Sequence, residues 1–303
     1  MRRLICFLLQ ALLLSLYSGA QSDTVQKPSN KTRKAIVLGG TGALAMGSLV
    51  GLNQIWYAQY NTGSFHFFND NKAWLQMDKV GHAYTAYQTS RLMMDAFDWA
   101  GFDRKKKIWI GGSIGFVYLT AIEIMDGYSR GWGYSWGDQI ANLAGSAMAM
   151  AQEGFWREQR FVLKYSYAES GLARFNPDLL GDSFGSRLIK DYNAQTYWLS
   201  FGSSVSGKKD PLVPKWLALS FGYSAYGMLG GHYNNLLAQE PNGQVYQMER
   251  QRRYYLSLDI DFTKIKARSK LVRTLFTVVN LLKFPAPAVE FTKHGVRFLP
   301  IYF

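Results

Sequence analysis

Three pairs of polar residues stand at helical spacing in the first half of this chain. Asp78 and His82 are four apart, Glu123 and Asp126 three apart, Asp138 and Asn142 four apart. Each pair therefore projects from one side of its helix. The six form a candidate catalytic set. His82 titrates near neutrality and suits a general base or acid, with Asp78 to orient it. Glu123, Asp126 and Asp138 offer hard oxygen ligands for a divalent cation, or share a proton without one. Asn142 would orient substrate or ligand. Glu123 follows the uncharged run Ile108 to Ile122, where an ionised carboxylate is costly unless paired or solvated. Lys79 and Arg130 are the nearest cationic candidates for pairing. Each residue also has a plainer reading. Asp78 and Asp138 suit helix starts, the latter behind Ser135 as a cap; His82 suits a satisfied buried imidazole; Asn142 suits an interhelical hydrogen bond. A purely structural polar network is the competing expectation.

Four helices are expected to carry these groups, within a domain spanning 35–152. Ala35 to Leu52 is long and apolar enough to cross a membrane or to be fully buried. The others run from about Trp74 to Trp99, Ile108 to Met125 and Trp136 to Gln152. Small residues recur every fourth position: Gly39, Ala43, Gly47 and Gly51 in the first, Gly111 and Gly115 in the third, Ala141, Gly145 and Ala149 in the fourth. Such stripes let helix backbones approach closely. Glycine is costly in a water-exposed helix, so the expectation is one tight, membrane-like bundle.

From residue 153 to 303 the period changes from helical to two. Leu217, Leu219, Phe221 and Tyr223 alternate with small residues, and Tyr254, Leu256, Leu258, Ile260 and Phe262 do so with mostly polar ones. Phe161 to Tyr167, Thr196 to Ser203 and Val296 to Phe303 are further strands. Residues 264–283 suggest a basic amphipathic helix, with Leu271, Leu275, Val278 and Leu282 on one face, stopped by Pro285. The fold class expected is α+β: a glycine-striped four-helix bundle, then a small antiparallel sheet. A part of an outer-membrane barrel is the alternative for the sheet, but the visible strands are too few to complete one.

The start of the chain gives the compartment. Arg2 and Arg3, the apolar run Leu4 to Leu16 and the small residues Ser18-Gly19-Ala20 have the layout of a signal peptide over 1–20. Residues 21–34 suggest a basic linker. The single cysteine, Cys6, lies within that leader, so the mature chain would hold no disulfide, thiolate nucleophile or cysteine-bound metal. Without Arg2 and Arg3 the formal charge of +13 falls to about +11. For an exported protein, that charge points to anionic lipid headgroups, not nucleic acid. The 19 Tyr and 9 Trp suit an interfacial location.

The runs Asp78-Lys-Val-Gly-His82, Glu123-Ile-Met-Asp126-Gly127 and Ser135-Trp-Gly-Asp138-Gln-Ile-Ala-Asn142-Leu-Ala-Gly145 resemble the YfiM-type family of predicted periplasmic lipoproteins. They are similar, more distantly, to the VanZ-like membrane domain. Lys190-Asp-Tyr-Asn-Ala-Gln-Thr-Tyr-Trp198 and the ending Phe298-Leu-Pro-Ile-Tyr-Phe303 resemble the longer YfiM-type members. The resemblance implies a fold and a compartment and brings no established activity. The sequence departs from the lipoprotein pattern because Cys6 sits too early to be a lipid acceptor. The functional expectation is a membrane-associated cell-envelope protein whose cluster acts on or binds a lipid-linked or cell-wall substrate. It would sit at the periplasmic face of the outer membrane or at the inner membrane. The alternative is a scaffold that docks an envelope protein partner, with the cluster only locking helices together. No serine or cysteine nucleophile motif is present.

Overall fold

The computed structural model describes residues 30–53, 63–202, 214–234, 238, 239, 243, 245, 246 and 248–303. The expected signal peptide, Cys6 and most of the linker lie outside the described residues. The chain divides into two compact units. One is helical and holds the described residues up to Asn71 together with Lys79–Gln159. The other holds Lys72–Asp78 and Arg160–Phe303 and is built on a sheet. The α+β class expected from the periodicities is the one observed.

In the helical unit, α1 is Asn30–Leu52, α2 Met77–Trp99, α3 Ile114–Gly127 and α4 Trp136–Trp156. Residues 30–34 thus belong to α1 and not to a linker. The second helix starts at Met77, later than Trp74, because Trp74, Leu75 and Gln76 adopt positive φ and break the helical path. Two of the three glycine stripes bring backbones together as expected. A Cβ on Gly115 would lie 2.4 Å from the Ala86 carbonyl oxygen, and one on Gly145 only 2.1 Å from that of Ala83. α3 and α4 therefore both press on the same stretch of α2. The stripe on α1 does not act this way: Cβ atoms on Gly39, Gly47 and Gly51 would meet nothing within 4 Å. α1 packs through Val37, which joins Met93, Phe97 and Ala100 in a buried cluster, and through Ser48, which accepts from the Tyr118 hydroxyl at 2.9 Å. Two described helical segments, Asn30–Gly51 and Arg104–Gly127, are long and apolar enough to cross a membrane by length and composition.

The sheet unit is a six-stranded antiparallel meander in the order β1-β2-β3-β6-β7-β8, with a separate β4-β5 hairpin. Its strands are Phe161–Tyr167, Gln195–Gly202, Leu217–Tyr226, Gln251–Ile260, Ala286–Thr292 and Gly295–Tyr302; the hairpin is Ala238–Gln239 and Val245–Tyr246. β7 was not anticipated, because Pro285 and Pro287 obscure its start. Two short helices, α5 at Pro177–Leu180 and α6 at Phe184–Lys190, were missed for lack of length. The basic helix shrinks to α7, Lys270–Val279, and none of its residues is buried.

Register sorts the sheet into two faces. One cross-strand row on the outward face is Tyr165, Tyr197, Tyr223, Tyr254, Phe291 and Val296. The next outward row is Leu163, Leu199, Phe221, Leu256, Val289 and Phe298. The inward rows carry Lys164, Trp198, Gly222, Tyr255, Glu290 and Arg297, and a serine run through Ser200, Ser220 and Ser257. The sheet curls over this inward face. Tyr302 of β8 bonds Thr196 of β2 at 3.0 Å and stacks on Tyr255, and the outer edge of β1 is met by residues 281–283. Inside, Lys164 pairs with Asp259 at 2.9 Å with both side chains fully buried, and Asp259 also accepts from Ser200 at 2.7 Å. The Lys190-to-Trp198 motif is structural here. Asp191 caps Asn193, Asn193 exchanges bonds with both backbone atoms of Met228, and Trp198 donates to Ser166 at 2.8 Å. The Tyr192 hydroxyl donates to Asp78 within this unit.

Candidate functional site

His82, Glu123, Asp138 and Asn142 meet in the interior of the helical unit, because Gly145 and Gly115 let α4 and α3 close on α2 nearby. His82 Nδ1 stands 3.0 Å from Asn142 Oδ1. A carbonyl oxygen only accepts, so Nδ1 carries a proton. Nε2 faces Glu123 Oε1 at 3.7 Å and Asp138 Oδ1 at 3.9 Å. Both separations exceed hydrogen-bond length.

The surroundings fix each acid differently. Asp138 sits in the first turn of α4, where Ser135 caps the helix by accepting from the Asp138 amide at 3.2 Å. It is ion-paired with Lys79 at 2.9 Å. Lys79 also pairs with Asp70 at 2.6 Å, and Ser135 donates to Asp70 at 2.5 Å. Burial works against the ionised Asp70 carboxylate, but the bonds and charge of Lys79 and the bond from Ser135 outweigh it and hold its pKa below the ordinary value. Lys79 therefore serves Asp138 and Asp70, and Glu123 is met by the Ser135 amide at 3.2 Å. Glu123 is 1% exposed. Burial pushes its carboxyl up to about 8; His82 and the Ser135 amide oppose the rise, and the charges of Asp138 and Asp126 add to it. It is consequently protonated near neutral pH.

Asp126 is buried in the last turn of α3 and reaches Glu123 through charge. Asp78 stands one turn ahead of His82 on α2, so that helix sets its place. Within the helical unit, an imidazole nitrogen and a carboxylate oxygen, those of His82 and Asp138, face each other at 3.9 Å, so a nitrogen donor joins the carboxylates expected from the sequence. The mixed N/O donors suit zinc or manganese better than magnesium or calcium, which prefer oxygen. Asn142 is fully buried, and its amide nitrogen has no hydrogen-bond partner among the described residues. That orphan donor beside His82 marks a place where a ligand oxygen would be bound.

Sequence reasoning found five of the residues around this point and the Ser135 cap, but missed Asp70. Asp70 lies in an irregular segment, where no period signals which way a side chain points. Its only signal was an acid close in sequence to Lys79.

Residues 66–153 match a family model. Its description is "Predicted periplasmic lipoprotein (DUF2279)". The matched segment is under a third of the chain, and holds the whole polar cluster from Asp70 to Asn142. No curated protein and no solved structure matches the chain. That description gives the family a periplasmic address and names no reaction.

Proposed function

We propose that the helical unit binds a divalent cation at His82 and Asp138 and acts on a lipid-linked or cell-wall substrate in the envelope. The observation that carries this reading is the orientation of His82. Asn142 takes Nδ1, and Nε2 is left facing two carboxylate oxygens at 3.7 and 3.9 Å. Asn142 would offer its orphan amide to a ligand oxygen. Glu123, protonated at neutral pH, would supply a proton to a leaving group. Asp126 is placed to tune Glu123 by charge and not to touch substrate.

The resemblance to the YfiM-type family and the distant one to the VanZ-like domain support an envelope role, as does the periplasmic description of the matched segment. We favour the periplasmic face of the outer membrane, with membrane lipids as partners, no nucleic acid, and attachment through the chain's own apolar surfaces.

A second reading has its own observation. The Asp70–Lys79–Asp138–Ser135 ring is tightly bonded and would serve a scaffold well. It leaves the amide nitrogen of Asn142 without a partner among the described residues. Thermal melts in mild detergent separate the two. With zinc or manganese added after chelation, the wild-type melting point should rise, and His82→Ala and Asp138→Asn should abolish the rise. A wild-type melting point that ignores both ions, with strong destabilisation in every cluster variant, would select the scaffold.

A further inference from the structure

The sheet unit is polar inside and apolar outside, the reverse of a water-soluble sheet. Behind the strands lie the buried Lys164–Asp259 pair, the Ser200–Ser220 contact and Glu290 with Tyr255 and Arg297, closed over by the curl of β8. In front, part of the tyrosine row is covered by the chain itself: Tyr165 is buried, and Tyr197 and Tyr223 pack against Met77 and Met228. The rest of that face is open across β3, β6, β7 and β8, where Phe221 is 52% exposed, Leu258 50% and Phe298 63%, with Tyr254, Phe291 and Val296 beside them. An isolated exposed Leu or Phe is ordinary on a soluble protein; a patch shared by four neighbouring strands is not. The outward residues of β6 run Arg252, Tyr254, Leu256, Leu258, Ile260, from charge through aromatic to aliphatic. That is the gradient of a surface passing from headgroups into hydrocarbon. Beyond β6, Lys264, Lys266, Arg268 and Lys270 lead into α7, whose Leu271, Leu275 and Val279 are exposed as well. Basic charge beside unburied apolar surface is complementary to anionic headgroups over acyl chains.

We infer that the open part of the sheet's outward face, on β3, β6, β7 and β8, is seated in the hydrocarbon of a bilayer, with α7 and its basic approach lying on anionic headgroups. This rests on the membrane attachment proposed above and names the surface that makes it; it does not depend on the cation site. A second copy of the chain is the rival occupant. It would bury apolar rows too, but it gives no reason for the charge-to-aliphatic gradient or for the basic stretch at α7.

The test uses the full chain carrying Cys6→Ser and one new cysteine labelled with an environment-sensitive fluorophore. Phe221→Cys and Val289→Cys report the outward face, and Asp178→Cys, exposed on a short helix, is the control. With vesicles of phosphatidylethanolamine and phosphatidylglycerol, emission at 221 and 289 should shift to the blue and be quenched by nitroxide on the lipid tails. Emission at 178 should not change. Phe221→Lys should keep the native circular dichroism and lower vesicle binding at least tenfold. A blue shift that appears without vesicles and grows with protein concentration would assign the face to a second copy. No shift at 221 or 289, or unchanged binding by folded Phe221→Lys, would also overturn the inference. The cation-dependent rise in melting point, measured on the same samples, reports the helical unit separately, so either idea can fail alone.

Discussion

At the scale of single residues, Glu123 has the most consequential environment. Its carboxyl is pushed up to about 8 by burial, whereas in the unfolded chain it ionises in the usual carboxylate range. Between those values the unfolded state binds fewer protons than the folded one, so this group makes stability fall as pH rises through about 8, with no further loss above. In chelator, Glu123→Gln should remove that slope, and its melting point should exceed wild type by most at about pH 8. The gain would be on the order of a few kcal/mol. Equal pH slopes in the two proteins would show that Glu123 is ionised in the fold. Asn142 makes a second residue-scale point. Its spacing from Asp138 was legible in the sequence, but its grip on His82 Nδ1 at 3.0 Å depends on how two helices meet. Asp70 was not legible at all, since its role exists only through Lys79 and Ser135.

At the scale of elements, identical sequence signals gave opposite outcomes. Gly145 and Gly47 both belong to stripes with a four-residue period. Gly145 faces the Ala83 carbonyl, where a Cβ would stand 2.1 Å away; Gly47 faces open space. Gly145→Ala should therefore force α4 from α2, cost about 1–3 kcal/mol or more, and lower the melting point by several degrees. Gly47→Ala should be neutral or stabilising by up to about 1 kcal/mol, through helix propensity alone. A melting series on the pair checks both, and a damaging Gly47→Ala would mean that α1 has a partner on its glycine face. The sheet tells a similar story. The alternation in β3 and β6 announced strands, and could not announce which alternate set would be turned inward. In water the apolar set would be expected inside; the curl puts Lys164, Asp259 and the serines there instead.

At the scale of the whole molecule, each unit keeps its own interior, so damage to one should leave the other's response intact. Lys164→Met strips Asp259 of its buried partner and should cost about 3–5 kcal/mol, while Lys164→Met with Asp259→Leu should recover much of that loss. Calorimetry should show the single variant weakening the sheet unit's transition, with the cation-dependent shift of the helical unit retained. Loss of that shift would mean the two interiors are energetically one. By itself the sequence determined the α+β class, the change of period after about residue 153, the helical spacing of the polar pairs and the Ser135 cap. These are local properties, set by residue type and by repeats of 3.6 or 2. The tertiary structure decided which glycines are contacts, which nitrogen of His82 faces the carboxylates, that Lys79 serves Asp138 and Asp70, and which sheet face looks outward. Those outcomes depend on distances between segments remote in the chain, and no local period encodes such distances.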